Sequence, residues 1–290
     1  MQTENQTMKN IFYCLTLFLG TLLLSSCDPT QDQASGDFLN GVTYENNTNN
    51  GGTGTPAGRV LKQVKSHLKD DDTGQYEDAN YIYNYTGTKL TSYTDDTGEV
   101  TRFDYNSSNK ISKLSSTGQT SVFTYSGGNL STVVTEITGI AKMTANYTFT
   151  GGKLSKIISI QEYSLPFPIK SRLETSYEFQ GENMTKSVTK SGVYNPVTGD
   201  LEMSPEINTV SFTYDNKKSP YKLLPLEYHL SMIGIAPQGG NYLSGNNAEK
   251  VTISNSGASG TVMTFSHSYD SQNYPTKSIA GQDFIEYKYQ

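Results

Sequence analysis

From residue 59 onward the chain alternates apolar and polar positions with a period of two. In YIYNY the rings of Tyr81, Tyr83 and Tyr85 fall on one side, and Ile82 and Asn84 fall on the other. VTRFDY sets Phe103 and Tyr105 against Arg102 and Asp104. MTFSHSY groups Met263, Phe265, His267 and Tyr269 against Thr264, Ser266 and Ser268. Successive side chains of an extended strand point to opposite faces, so one apolar and one polar face predict half-buried antiparallel strands.

The alternation recurs as a unit. Aromatic pairs two residues apart stand at Tyr83/Tyr85, Phe103/Tyr105, Phe123/Tyr125, Tyr147/Phe149, Tyr177/Phe179, Phe212/Tyr214 and Tyr287/Tyr289, and the early units return about every twenty residues. Each of the first five is followed by a turn (TGTK, NSSNK, SGGN, TGGK, QGEN) whose Gly and Asn accept the positive φ of tight hairpins. An aliphatic-led strand comes next, opening at Leu90, Ile111, Leu130, Leu154 or Met184. Thr-Gly turns at 73–74, 97–98 and 117–118 close the early units, so one repeat is one hairpin.

Two features depart from this rhythm. Leu90 with Tyr93, Ile111 with Leu114 and Leu130 with Val133 are spaced i, i+3, and a bulge near the turn would account for it. The segment SPYKLLPLEYHLSMIGI, residues 219–235, is the most apolar stretch outside the N-terminus. It predicts a short helix or irregular cap within 219–240, limited in length by Pro225.

Composition agrees with many short strands. Only 34% of residues are hydrophobic and 17% charged; Tyr numbers 21 and Trp is absent, a mix unsuited to a helical bundle. A net charge of −6 without a Lys/Arg cluster argues against nucleic acid as a partner. At the N-terminus Lys9 precedes the apolar run IFYCLTLFLGTLLL, which ends at Leu24-Ser25-Ser26-Cys27. A basic residue, a short apolar core and small residues describe a secretory signal, too short for a comfortable transmembrane helix. Leu-Ser-Ser-Cys resembles the bacterial lipobox, in which the Cys becomes the lipid-modified first residue of the mature protein. The expected organisation is a signal peptide over 1–26, lipidated Cys27 with a polar tether over 27–58, and a single β-meander domain over 59–290. Cys14 and Cys27 are the only cysteines, so the mature domain has no disulfide framework and no thiol chemistry.

The lipobox, the F-x-Y…GGK-L units, YDNKKSPY at 214–221 and YDSQNYPTK at 269–277 together resemble outer-membrane lipoproteins of unknown function from Bacteroidetes, described as porin-like. A weaker likeness is to the YD repeats of Rhs-type shells, whose G-R-L element is missing here. The resemblance implies a curved or barrel-like meander and is silent on activity. Closure also removes the two open edges that a long meander would expose. The faces opposite the rings carry Arg102, Asp104, Glu178, Glu286 and Lys288, unlike a lipid-facing wall. The expected fold class is therefore all-β: repeated hairpins forming an antiparallel meander, barrel-like, standing in water on a lipid anchor.

No catalytic constellation appears. His67, His229 and His267 sit in three contexts without ligand spacing, and SGASG at 256–260 is not a nucleophile elbow. Asp70-Asp71-Asp72 and Asp95-Asp96 precede Thr-Gly, which is ordinary turn chemistry. No cofactor or metal is implied, and the expectation is a non-enzyme. The one hint of a ligand site lies in the aromatics, with Tyr83, Tyr85, Tyr105 and Tyr125 as candidate contacts for a sugar ring or apolar ligand; the competing role for them is core. The expected protein is an exported outer-membrane lipoprotein, on the cell-surface or periplasmic face. It would bind a glycan or another extracellular ligand, or alternatively serve as a scaffold or subunit of an outer-membrane assembly.

Overall fold

The structure, a computed structural model, describes residues 58–69, 74–164, 168–235, 242–256 and 260–290. The signal segment, Cys27, the tether and Asp70-Asp71-Asp72 lie outside the described residues. Strands form where the alternation runs: β1 (Leu61–Lys69), β2 (Tyr76–Thr86), β3 (Lys89–Thr94), β4 (Val100–Tyr105), β5 (Ile111–Ser116), β6 (Gln119–Ser126), β7 (Asn129–Ile137), β8 (Ala141–Thr150) and β9 (Lys153–Tyr163). They continue as β10 (Ile169–Gln180), β11 (Asn183–Tyr194), β12 (Leu201–Tyr214), β13 (Ala248–Asn255), β14 (Thr261–Thr264), β15 (Ser266–Tyr269), β16 (Pro275–Ala280) and β17 (Asp283–Tyr289). Between β12 and β13 the described residues include a 3-10 turn (Pro220–Leu223) and an α-helix, α1 (Leu226–Ile235).

The hairpins carry the expected bulge. Tyr85 faces Leu90 while Asn84 faces Ser92; Tyr105 faces Ile111 while Asp104 faces Lys113; Tyr125 faces Leu130 while Thr124 faces Thr132. One extra residue in each case (Thr91, Ser112, Ser131) turns both members of the i, i+3 pair to the interior. The extra residue is a hydroxyl donor with a use: Thr91 Oγ1 bonds the Asn84 carbonyl at 3.0 Å and Ser131 Oγ the Thr124 carbonyl at 3.1 Å. The same contact recurs from Ser155 to Thr148 at 3.0 Å and from Thr276 to Ser268 at 3.1 Å. In the SGGN turn Gly127 and Gly128 take φ of 58° and 84°, the left-handed pair that a two-residue hairpin requires.

The meander comes back on itself, because β1 pairs with β2 along Gln63–Lys69 and with β17 along Leu61–His67. The ladder thins at one place. β14 pairs with β13 and β15 with β16, with Phe265 standing between the two short strands. His267 bridges this break, its Nδ1 2.8 Å from Ser278 Oγ on β16 and its Nε2 3.0 Å from the Ala248 carbonyl on β13. A carbonyl only accepts, so Nε2 carries the proton and Nδ1 accepts from the serine. The result is an all-β, nearly closed antiparallel barrel, with seventeen strands among the described residues. Among the described residues no helix is long and apolar enough to cross a membrane.

Candidate functional site: a barrel interior filled by its own chain

The first ring of each aromatic pair packs at the centre of the barrel. Tyr83 is 5% exposed and meets Tyr93 edge-on at 6.2 Å, and Phe103, Phe123, Tyr147, Tyr177, Phe212 and Tyr287 are buried likewise. The second ring is half-buried and joins one repeat to another. Tyr85, Tyr105 and Tyr125 donate their hydroxyls to the carbonyls of Leu61, Leu90 and Ile111, at 2.8, 2.6 and 2.5 Å. Tyr214 and Tyr289 do the same to Met184 and Pro275. Each of these carbonyls belongs to the strand immediately before the tyrosine's own, so the hydroxyls stitch neighbouring strands together. Burial raises the pKa of Tyr83, Tyr85, Tyr105 and Tyr125 well above the phenol range, and the hydroxyls remain protonated donors. Lysines cover outer ring faces: Lys89 Nζ lies 3.9 Å from the Tyr105 ring centre and Lys110 Nζ 5.4 Å from that of Tyr125. All four candidate aromatics thus line the interior or its rim, with their hydroxyls or ring faces engaged by the protein.

What packs between them is the segment inserted between β12 and β13, described over 215–235 and 242–247. Its apolar run has no polar side, the mark of a helix surrounded by protein. Tyr228 of α1 packs against Phe103 at 5.4 Å and Tyr93 at 6.0 Å. Leu230, Ile233 and Leu243 are at most 2% exposed. The wall also grips the insertion by hydrogen bonds. Tyr147 Oη donates to the Leu230 carbonyl at 2.7 Å, Gln161 Nε2 to the Ile235 carbonyl at 2.8 Å, and the Met184 amide to Ser244 Oγ at 2.8 Å. Within the insertion, His229 Nε2 donates to the Tyr221 carbonyl at 2.8 Å, and its ring stacks on Tyr242. Burial pulls its pKa down to about 4, so it is neutral at pH 7.

The two ends of the insertion are clasped at Asp215, the first residue after β12. Its carboxylate accepts from the amides of Asn247 and Lys217, both at 2.9 Å, from the Asn247 side chain at 3.1 Å, and from the Tyr269 hydroxyl. Asn183 and Asn246 exchange two further bonds beside it. Two carboxyls near the insertion have pKa values raised by burial: Glu227, which faces Tyr105, Tyr125 and Lys110, and Glu182, which faces Lys153 and Lys222.

Chemistry of another kind does not assemble. Among the described residues no group of three or more His, Cys, Asp or Glu side chains is placed to hold a metal. His229 lies in the insertion, His267 at the thin part of the ladder, and His67 on the outer wall beside Asp78. Asp95 is a turn former, its Oδ1 accepting from the amides of Thr97 and Glu99. The wall residues that hold the insertion, Tyr147 and Gln161, carry no sequence signal that separates them from other inward positions. The signal that could have located the insertion is the apolar run at 219–235 without a polar face.

Fold and interior together define an antiparallel meander barrel with an internal plug. No protein-family model matches the chain, and no curated protein matches it. Among solved structures, it is similar to a porin-like protein from Bacteroides uniformis, at 14% identity and a TM-score of 0.39, over 82% of this chain and 99% of that one. It is also similar to part of the Photorhabdus luminescens Tc holotoxin pore, at 11% identity and a TM-score of 0.28, over 76% of this chain and 12% of that one.

Proposed function

We propose that the protein is a lipid-anchored component of the cell envelope, exported by the segment 1–26 and held at the outer membrane through Cys27. On this reading it acts as a non-enzymatic binding module whose ligand, a glycan or another envelope component, meets the outer wall. One observation carries the choice of surface: α1 packs inside the barrel, with Leu230, Ile233 and Leu243 buried and its carbonyls bonded to Tyr147 and Gln161 of the wall. An interior occupied by the chain itself argues against a channel or an internal ligand cup. Ion pairs across and along the strands support a water-facing wall, among them Lys186–Glu178 at 2.8 Å, Lys277–Glu286 at 2.9 Å, and Glu174 between Lys156 of β9 and Arg172 of its own strand at 2.6 Å from each. A lipid-facing band would be apolar at such positions. The test is labelling of cells with a radioactive fatty acid, followed by fractionation. Label on the wild type and none on Cys27→Ala supports the anchor; an unlabelled wild type in the soluble fraction overturns it.

The scaffold reading has its own support at the end of the barrel where β10, β11 and β12 run longest. Val197 is 91% exposed there, with Val193 at 51% and Ile169 at 50%. Apolar side chains this exposed suit a protein partner. Site-specific crosslinking from position 197 in intact cells distinguishes the two readings, because a discrete protein adduct favours the scaffold.

A further inference from the structure

We infer that the outer wall carries a saccharide-binding platform where β17, β1 and β2 run side by side, with Tyr76 as its stacking surface. The inference rests on the binding reading above and names its site and ligand class. Lys69 pairs with Tyr76, and His67 pairs with both Asp78 and Phe284; all lie on the side opposite the buried Ser66, Leu68 and Ile285. Three rings therefore stand together on the outside. His67 is sandwiched, 4.7 Å from Tyr76 with the planes 3° apart and 5.1 Å from Phe284 at 21°. Among the described residues this is the one stack of rings on the outer face, since the other stacked pairs, Phe212 with Tyr214 and His229 with Tyr242, belong to the interior.

The two ends of the stack differ. Lys277 Nζ sits 3.9 Å from the Phe284 ring centre and covers that end. At the other end Tyr76 is 38% exposed, and among the described residues no second ring or cation lies on its far face. The β3 ladder reaches β2 only from Ile82 onward, so no neighbouring strand crowds that face. The ring is also held rigidly, because its hydroxyl donates to Gln282 Oε1 at 2.7 Å and its near face rests on His67. Asp78 in turn fixes His67, its Oδ1 2.7 Å from Nδ1, while its side chain remains 84% exposed.

The chemistry that fits is that of a sugar. A pyranose has an apolar C–H face that packs on an aromatic ring, and hydroxyls around its rim that both donate and accept. Here an immobilised, open tyrosine face has the Gln282 amide, whose NH2 donates, at its hydroxyl edge, and Asp78, a carboxylate that only accepts, two residues along the same face of β2. A purely apolar ligand would leave Asp78 and Gln282 unused.

The test uses the full chain purified in detergent, applied to an array of immobilised neutral and amino-sugar oligosaccharides, with the tightest binder then titrated in solution. The expected result is binding that weakens by about tenfold or more in Tyr76→Ala. It should change little in Tyr76→Phe, which keeps the ring face, with an unchanged melting transition in both variants. If the array binds the wild type and Tyr76→Ala equally, the platform is elsewhere: this inference fails and the binding reading stands. If no saccharide binds the wild type, the ligand class is wrong and the inference fails. The binding reading fails with it only if envelope lipids and crosslinked envelope proteins are also absent.

Discussion

Gly234 of the helix lies against Tyr147 of the wall so closely that a β-carbon on the glycine would collide with the Tyr147 hydroxyl and come within 2.9 Å of the Ala145 β-carbon. Absence of a side chain is what allows α1 to lie along β8. Ala is the better helix former by about 1 kcal/mol. Overpacking costs about 1–3 kcal/mol, and neither neighbour is free to yield. Tyr147 is held by its bond to Leu230, and Ala145 is part of the barrel wall. Gly234→Ala should therefore destabilise the protein by up to about 2 kcal/mol in urea unfolding. The double variant with Tyr147→Phe should lose less than the sum of the singles, since removal of the hydroxyl relieves the clash.

The tyrosine hydroxyls that join successive hairpins should each contribute modestly. Tyr125→Phe removes one neutral hydrogen bond, to the Ile111 carbonyl, for an expected loss of about 1 kcal/mol. Phe149 and Phe179 already occupy the equivalent place in two repeats, so the position accepts a ring without a hydroxyl. A loss several times larger in chemical denaturation would mean that the hydroxyl does more than link repeats.

Asp215 should matter more than any surface carboxylate. It gathers two amides, an amide side chain and a phenol at the neck of the plug. Asp215→Ala leaves those donors to find water, at an expected cost of about 2–4 kcal/mol. The exposed pair Lys142–Glu136, more than half open to solvent on both sides, serves as the control; Glu136→Gln should change stability by well under 1 kcal/mol.

The buried His229 gives the plug a pH dependence of definite sign. Its folded pKa, about 4, is below the ordinary value of 6.5, so the unfolded chain binds the extra proton more readily. Its contribution is complete above pH 6.5 and is lost as pH falls towards 4, a change of the order of 3 kcal/mol. Glu182 and Glu227 act in the opposite sense, since burial raises their pKa values and protonation relieves a cost carried at pH 7. Melting temperatures at pH 7 and pH 4.5 isolate the histidine: the fall should be smaller in His229→Gln than in the wild type.

Much of the wall was legible because strand alternation acts residue by residue. The aromatic pairs name the inward face, the Gly- and Asn-rich turns name the hairpins, and the i, i+3 spacing of Leu130 and Val133 marks the bulge that the ladder shows at Ser131. Barrel closure is a contact between Leu61 and Tyr289, more than two hundred residues apart, and no local pattern encodes it. The insertion was legible as apolar, but an apolar run is equally compatible with lying over the barrel mouth or inside it. Its placement depends on Tyr147, Gln161 and Gly234 meeting in space. The same limit applies to the outer stack. His67, Tyr76 and Phe284 come together only because β1 pairs with both β2 and β17, and in sequence they are three unrelated polar-face positions.

The central claim is that α1 is part of the barrel's core. Amide hydrogen exchange on the full chain, followed by mass spectrometry of peptides covering Leu226–Ile235, tests it directly. A plug gripped by Tyr147 and Gln161 should exchange as slowly as β8 and β9, through the same global opening. Exchange of the helix orders of magnitude faster than those strands would show a segment that leaves the interior on its own. The inside of the barrel, and not its outer wall, would then be the surface open to a ligand.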